Sequence, residues 1–475
     1  MDTSRSLSLW KKVLYGAGDW GLSSSGVMRS VFYAIYLTDV VGLDARLASI
    51  GALIGILWDA LNDPFVGRIS DRLRTRWGRR RPFLLVFALP FGLSFILLWA
   101  APDWDSQAAL MAYVTLAYML FDTLTTFVAI PFLSLTPELA PDYDDRTTLT
   151  GYRIFFQLTA SLVMVVTAPL IVEGMVARGF SQQQGFILVA ALFGLTGALP
   201  FLLIALTFQE RPPRAESETL PLRTTLKVAW SNVPFRFAVG IHLLNWAAVD
   251  MVAMVTPFFL LYWVSSGNLL AKVSLFGTPV ALESAFFGLL MTACILSLPF
   301  WLWFARKRNK QDAYLFGMTL FLGAELLLFF IQPGQIGLTL GLATLAGVGI
   351  ATAYALPDSI FPDILEWDEL RTRRRQEGIY YGARAFLRKL SAAMTLFLAL
   401  QFLGWSGYQT PPAEALVFQQ SDSALLAIRL LISPIGGLMI LGALLLARFY
   451  PLTRDRHARI RRLLARRRKV QPGES

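Results

Sequence analysis

The chain has 475 residues, 55% of them hydrophobic and 16% charged, with a formal net charge of +11 and a mean hydropathy of +0.53. That balance excludes a soluble globular protein of this size and defines a membrane protein. The positive charge does not describe a nucleic-acid binder, because the Lys and Arg residues gather in alternate loops between apolar runs.

Runs near 20 residues recur, each long enough to cross roughly 30 Å of hydrocarbon as a helix. In chain order they cover 14–37, 46–67, 83–101, 108–132, 151–173, 185–208, 236–263, 280–304, 312–332, 336–357, 379–403 and 424–448. The sequence therefore predicts an all-α membrane protein of twelve transmembrane helices. A barrel would alternate apolar and polar residues in ~10-residue pieces, and no such alternation is present. Met1 to Leu9 has little positive charge and no small-residue cleavage site, so no removable signal peptide is expected. Cys294 lies inside a span and offers no disulfide framework.

The loops set the topology. Seven arginines between Arg68 and Arg81 follow the second span, Arg306 to Lys310 follow the eighth, Arg371 to Arg375 precede the eleventh, and the tail from Arg448 to Lys469 is densely basic. The alternate loops, at 102–107, 332–336 and 404–422, are poor in charge. The positive-inside rule then puts both termini in the cytoplasm. The tail reads either as a short basic helix on anionic lipid or as a solvated orientation signal.

"QERPPRAESETLP" is the only long polar segment between spans and reads as a linker. The expected domains are an N-terminal six-helix bundle at 1–208, a cytoplasmic linker at 209–234, a C-terminal six-helix bundle at 235–448 and a basic cytoplasmic tail at 449–475. Two such bundles describe a secondary transporter with its site at the midplane between them. No phosphate-binding G-x-x-x-x-G-K-[ST] loop supports ATP-driven transport. Two histidines, His242 and His457, and one cysteine leave no metal cluster and no His-dependent catalytic set, so no enzyme is expected.

Ionisable residues inside spans cost about 2.5–3.5 kcal/mol each on insertion scales and mark functional candidates. Asp59 and Asp63 stand at i, i+4 in "LWDALNDPFVG", which stacks both carboxylates on one face of the second span. Their repulsion is relieved by a bound proton or by Na⁺ or Li⁺. The other reading is a pair of helix-end acids balancing the arginines of the next loop. Asp122 and Thr126 stand at i, i+4 on the fourth span and offer further oxygens. Lys389 on the eleventh span either pairs with a carboxylate of the other bundle or snorkels to the interface. Asp250 and Glu325 have no evident partner in sequence, and Glu283 and Arg384 read as interfacial.

"YLTDVVGL", "LWDALNDPFVG", "RWGRRRP", "IPFLSL", "PDILEWDEL" and "EGIYYGARAFLRKL", in this order, resemble the glycoside–pentoside–hexuronide:cation symporters of the major facilitator superfamily. The resemblance covers nearly the whole chain. It implies the major facilitator fold, with coupling-cation carboxylates at Asp59 and Asp63 and a threonine beside them at Thr126. It also implies substrate contacts at Arg153, Tyr354 and Lys389. The melibiose-type members carry acids and a tryptophan where this chain has Ser23, Ala129 and Leu133. Asp19, one turn before Ser23, and Asp122, two turns before Ala129, are the candidate replacements, and Ser23 itself stays among the substrate-binding candidates.

"LFDTLTTFVAIPFLSLT" also resembles the fourth span of the animal sodium-dependent lysophosphatidylcholine symporter, a more distant relative. The function expected is therefore Na⁺- or H⁺-coupled symport of a sugar or glycoside by alternating access, with a lysolipid-like or other amphiphilic solute as the alternative. Asp144, Arg146 and Asp363 are candidate cytoplasmic gate residues. No cofactor is expected beyond the coupling ion (Na⁺, Li⁺ or H⁺). The expected partners are a small-molecule substrate, that cation and the bilayer of the cell membrane, with the protein a monomer.

Overall fold

The computed structural model describes residues 8–73, 75–139, 143–208, 227–268, 271–275, 277–372, 377–412, 417–452 and, in the tail, 456, 459, 460, 462 and 463. These residues are almost entirely helical. In chain order they form α1 (Leu9–Ile35), α2 (Ala45–Arg72), α3 (Arg81–Leu98), α4 (Gln107–Leu139), α5 (Tyr143–Val176), α6 (Gln182–Thr207) and α7 (Val233–Phe258). A two-stranded hairpin, β1 (Lys272–Leu275) and β2 (Thr278–Ala281), precedes α8 (Leu282–Lys307), α9 (Lys310–Leu328), α10 (Ile336–Thr372) and α11 (Glu377–Trp405). The last pieces are α12 (Asp422–Leu430) and α13 (Gly436–Arg448), joined by a π-helical turn, Leu431–Ile435.

Among the described residues nine helical segments are long and apolar enough to cross a membrane. α1, α2 and α9 fall outside that set. They carry Asp19, Arg29, Asp59, Asp63 and Glu325, the charges that dilute their apolarity.

Several helices run past the apolar windows that announce them. The fourth window ends at 132 and α4 at Leu139; the tenth ends at 357 and α10 at Thr372. Hydropathy reads only the part of a helix that lipid covers, and backbone hydrogen bonding continues into water wherever nothing breaks it. Local chemistry sets several starts. Ser181 and Gln184 close a capping box on α6, each side chain taking the other's backbone N–H, at 3.1 and 3.0 Å. Asp44 caps α2 through the Arg46 N–H at 2.9 Å. Prolines interrupt α3, α5, α6 and α8 without ending them, and Pro257 lies one residue before the end of α7. In lipid, neighbouring helices and local π adjustments satisfy the backbone groups a proline frees. Pro257 is followed at once by the π turn Phe259–Val264, and Pro434 lies inside the turn before α13.

The chain divides into two compact units. The first comprises Met1–Glu216, Ala253–Gly288 and Leu396–Ile428, and the second Ser217–Val252, Leu289–Thr395 and Arg429–Ser475. In the first unit α6 seats two neighbours through glycines three apart. A Cβ on Gly194 would meet Gly92 O of α3 at 2.8 Å, and one on Gly197 would meet Gly21 Cα of α1 at 2.5 Å. Small residues let membrane helices approach backbone to backbone, where dispersion replaces the missing hydrophobic drive. Gly197→Ala is expected to destabilise by about 1–3 kcal/mol through overpacking. Gly341→Ala, with nothing near its Cβ position, is expected to be neutral or stabilising. Thermal unfolding of the two variants checks this pair.

In the second unit the same device joins α9 to α10, where a Cβ on Gly349 would meet Gly317 O at 2.6 Å. Tyr314 donates to the Asn245 side chain at 3.2 Å.

Candidate functional site

In the first unit α2 carries Asp59, Asn62 and Asp63 toward α4. Asp59 and Asn62 are buried. Thr126 of α4 donates to the Asp63 carboxylate at 3.1 Å, and Trp58 donates to Thr123 at 2.9 Å, which pins α2 against α4 one turn apart. The Asn62 amide nitrogen is buried with no hydrogen-bond partner among the described residues. Amide oxygen and nitrogen exchange places by a flip, so this position can present a neutral oxygen beside the two carboxylates. The arrangement is a set of hard oxygen donors with negative charge, which is the chemistry that holds a proton or an alkali cation.

Two intramembrane acids of this unit meet arginines. Asp19 of α1 takes a two-point hydrogen bond from Arg153 of α5, at 2.5 and 3.2 Å. The guanidinium also lies over the Phe132 ring at 5.3 Å. Asp122 of α4 faces Arg29 of α1 at 3.6 Å, and Arg29 packs on Tyr118 and Phe121 at 5.0 and 5.5 Å. Ser23, one turn beyond Asp19, is partly buried. Arg29 and its partner Asp122 lie 93 residues apart, beyond any spacing argument.

Beyond the end of the first predicted span, Asp39 accepts hydrogen bonds from Tyr262, from Tyr408 at 2.5 Å and from Thr38 at 2.7 Å. It lines a cavity with Phe32, Glu173, Phe186 and Glu283, and Lys272 of β1 stands 3.8 Å from Glu173. Glu283, read from sequence as interfacial, thus belongs to a cavity wall. Burial pushes the Asp39 carboxyl up to about 6, and the hydrogen bonds from Tyr262, Tyr408 and Thr38 hold it back from rising further. A raised carboxyl favours the folded protein fully at pH below the ordinary value and loses that contribution as pH rises through about 6. The stability of the wild type relative to Asp39→Asn is therefore expected to fall between about pH 4 and pH 6. Thermal unfolding of both proteins across that range measures it.

In the second unit α7 presents His242, Trp246 and Asp250 four residues apart, and α11 presents Arg384 and Arg388 at the same spacing. Arg388 bonds Asp250, with nitrogen–oxygen distances of 2.9 and 2.8 Å, and its guanidinium lies 5.0 Å from the Trp246 ring. Arg384 donates to His242 Nε2 at 3.2 Å and stacks on Phe361 at 4.3 Å. Accepting from a guanidinium requires a neutral imidazole with its proton on Nδ1. Tyr354 meets Trp246 edge to face at 5.0 Å. Lys389, next to Arg388, is partly buried. Asp250 thus has a partner that the sequence did not reveal; the stripes at i, i+4 on α7 and α11 were the available signal. The side chains of Asp144, Arg146 and Asp363, the candidate gate residues, lie outside the described residues.

A helical membrane fold with charge pairs and an acidic oxygen cluster inside it defines a multi-pass membrane transporter of the major facilitator type. The nucleoside transporter NupG shares that fold, with a TM-score of 0.62 and 11% identity over 93% of this chain and 98% of its own. The chain belongs to the MFS/sugar transport protein family, which it matches over residues 14–454. An uncharacterized symporter, sll1374 of Synechocystis sp., is 31% identical, covering 97% of this chain and 98% of its own. The sodium-dependent lysophosphatidylcholine symporter 1 of Gallus gallus is 27% identical, covering 95% of this chain and 88% of its own. The isoprimeverose transporter of Lactiplantibacillus pentosus is 26% identical, covering 84% of this chain and 81% of its own.

Proposed function

We propose that the protein is a symporter of the cell membrane that couples Na⁺ or H⁺ to the movement of a sugar or glycoside by alternating access. The observation that carries this reading is the oxygen cluster of Asp59, Asn62, Asp63 and Thr126, held together by the Thr126–Asp63 hydrogen bond of 3.1 Å. Two carboxylates one turn apart repel each other, and a bound cation or proton relieves that repulsion. The charged and neutralised clusters then favour different conformations, which is the only way a ligand shifts a conformational equilibrium. The substrate-binding residues of this reading are Asp19, Ser23, Asp122, Arg153, Tyr354 and Lys389. The protein works as a monomer of two six-helix bundles that rock about the site, with both termini in the cytoplasm and Asp144, Arg146 and Asp363 at the cytoplasmic gate.

The similarity to the isoprimeverose transporter supports a sugar. The similarity to the lysophosphatidylcholine symporter supports a second reading, an amphiphilic lysolipid-like solute, and so do apolar Ala129 and Leu133 on α4. A thermal-shift screen of the purified protein against sugars and lysophosphatidylcholine, with and without Na⁺ and at two pH values, separates the two. Stabilisation by a sugar that grows with the coupling ion is expected. Stabilisation by lysophosphatidylcholine alone assigns the second reading, and stabilisation by neither class removes both.

A further inference from the structure

The pair Asp250–Arg388 repeats a constellation already met in α1 and α5. Asp19 on α1 and Arg153 on α5 form a two-point ion pair whose guanidinium lies over an aromatic ring at 5.3 Å. Six helices further on, Asp250 on α7 and Arg388 on α11 do the same, with Trp246 under the guanidinium at 5.0 Å. The side chains of Arg388 and Asp250 keep 25% and 21% of their surface exposed, while Asp250 Oδ2 and Arg388 Nη1 themselves are buried. Its carboxylate accepts and its guanidinium donates side by side, while the pair as a whole is neutral. That favours an uncharged polyol over an anion, because an anion would have to displace Asp250 from its own partner. Tyr354 stands edge-on to Trp246, with ring centroids 5.0 Å apart.

We propose that Asp250 and Arg388 form a sugar-hydroxyl subsite, in which one hydroxyl of a pyranoside donates to Asp250 and its neighbour accepts from Arg388. Trp246 is a positioning residue that holds the guanidinium plane. The subsite rests on the sugar reading above and extends it to residues outside the substrate set named there. The two-point geometry is specific to arginine, so a lysine keeps the charge and loses the match.

The test is equilibrium binding to the purified full-length protein of D-glucose, D-xylose, D-galactose, isoprimeverose and, separately, lysophosphatidylcholine. The wild type is compared with Asp250→Asn, Arg388→Lys and the double variant Asp250→Asn/Arg388→Gln. The double variant leaves no lone charge in the membrane, so it stays informative if a single variant fails to fold. Retention of the cation-dependent thermal shift reports that the rest of the protein is intact. The expected result is at least a tenfold loss of sugar affinity in all three variants with that shift unchanged. Sugar binding that survives in the double variant overturns the subsite and leaves the symport reading standing. Binding of lysophosphatidylcholine with no response to any of the sugars overturns both.

Discussion

Replacing Asp59 and Asp63 together with asparagine is expected to abolish uphill accumulation of substrate in vesicles while leaving the protein folded. The double variant removes the repulsion that a cation relieves, so no differential remains between the loaded and empty states. The expected fall in gradient-driven accumulation is at least 100-fold, equivalent to about 2.8 kcal/mol of lost coupling. Passive exchange of substrate down its own gradient is expected to survive, because Asp19 and Arg153, which we propose to contact substrate, lie on α1 and α5, not on α2. Substrate accumulation by the double variant at wild-type level would show that the coupling ion binds elsewhere. Asp63→Asn alone is expected to act more strongly than Thr126→Val, since the threonine contributes a neutral oxygen through one 3.1 Å hydrogen bond.

The second large effect is an asymmetry between the partners of the Asp19–Arg153 pair. Breaking a buried ion pair costs about 3–5 kcal/mol because one charge is stranded. Asp19→Asn strands a guanidinium, which cannot lose its proton in a protein, whereas Arg153→Gln strands a carboxylate, which can gain one. Asp19→Asn is therefore expected to be the more damaging change, and acidification should rescue Arg153→Gln but not Asp19→Asn. The double variant Asp19→Asn/Arg153→Gln should recover much of the stability without recovering transport. Thermal unfolding and uptake of the three variants at two pH values measure this, and equal losses at both pH values would count against it.

How much of this was readable from sequence depends on the range of the interaction. The Asp59–Asp63 stack and the Asp122–Thr126 pair both follow from the period of a helix, and the resemblance adds that Thr126 stands beside the acids. Both are local patterns. Glycine contacts such as Gly21–Gly197 were not readable, because which glycine meets which backbone depends on how helices cross. The pairs Arg29–Asp122 and Arg388–Asp250 lie 93 and 138 residues apart, and only folding brings them together. Of the hairpin β1–β2 only Val280 and Ala281 fall within the eighth predicted span, and its four-residue strands are too short to announce themselves by alternation. Gly277, with φ of +82° at the turn, was the sign of a break. The ends of α4 and α10 were placed short because lipid burial, and not helix formation, is what an apolar window measures.

The central claim is that Asp59 and Asp63 hold the coupling cation, and direct binding tests it most simply. Trp58, one of thirteen tryptophans, adjoins Asp59 and donates to Thr123 at 2.9 Å, so the part of the fluorescence response that is lost in Trp58→Phe reports on the α2–α4 contact. Titrating the purified protein with Na⁺, Li⁺ and K⁺ across a pH series is expected to give a saturable change with Na⁺ or Li⁺, or with protons, and none with K⁺. The same titration of Asp59→Asn/Asp63→Asn is expected to be flat. An unchanged, saturable response in that variant would contradict the account.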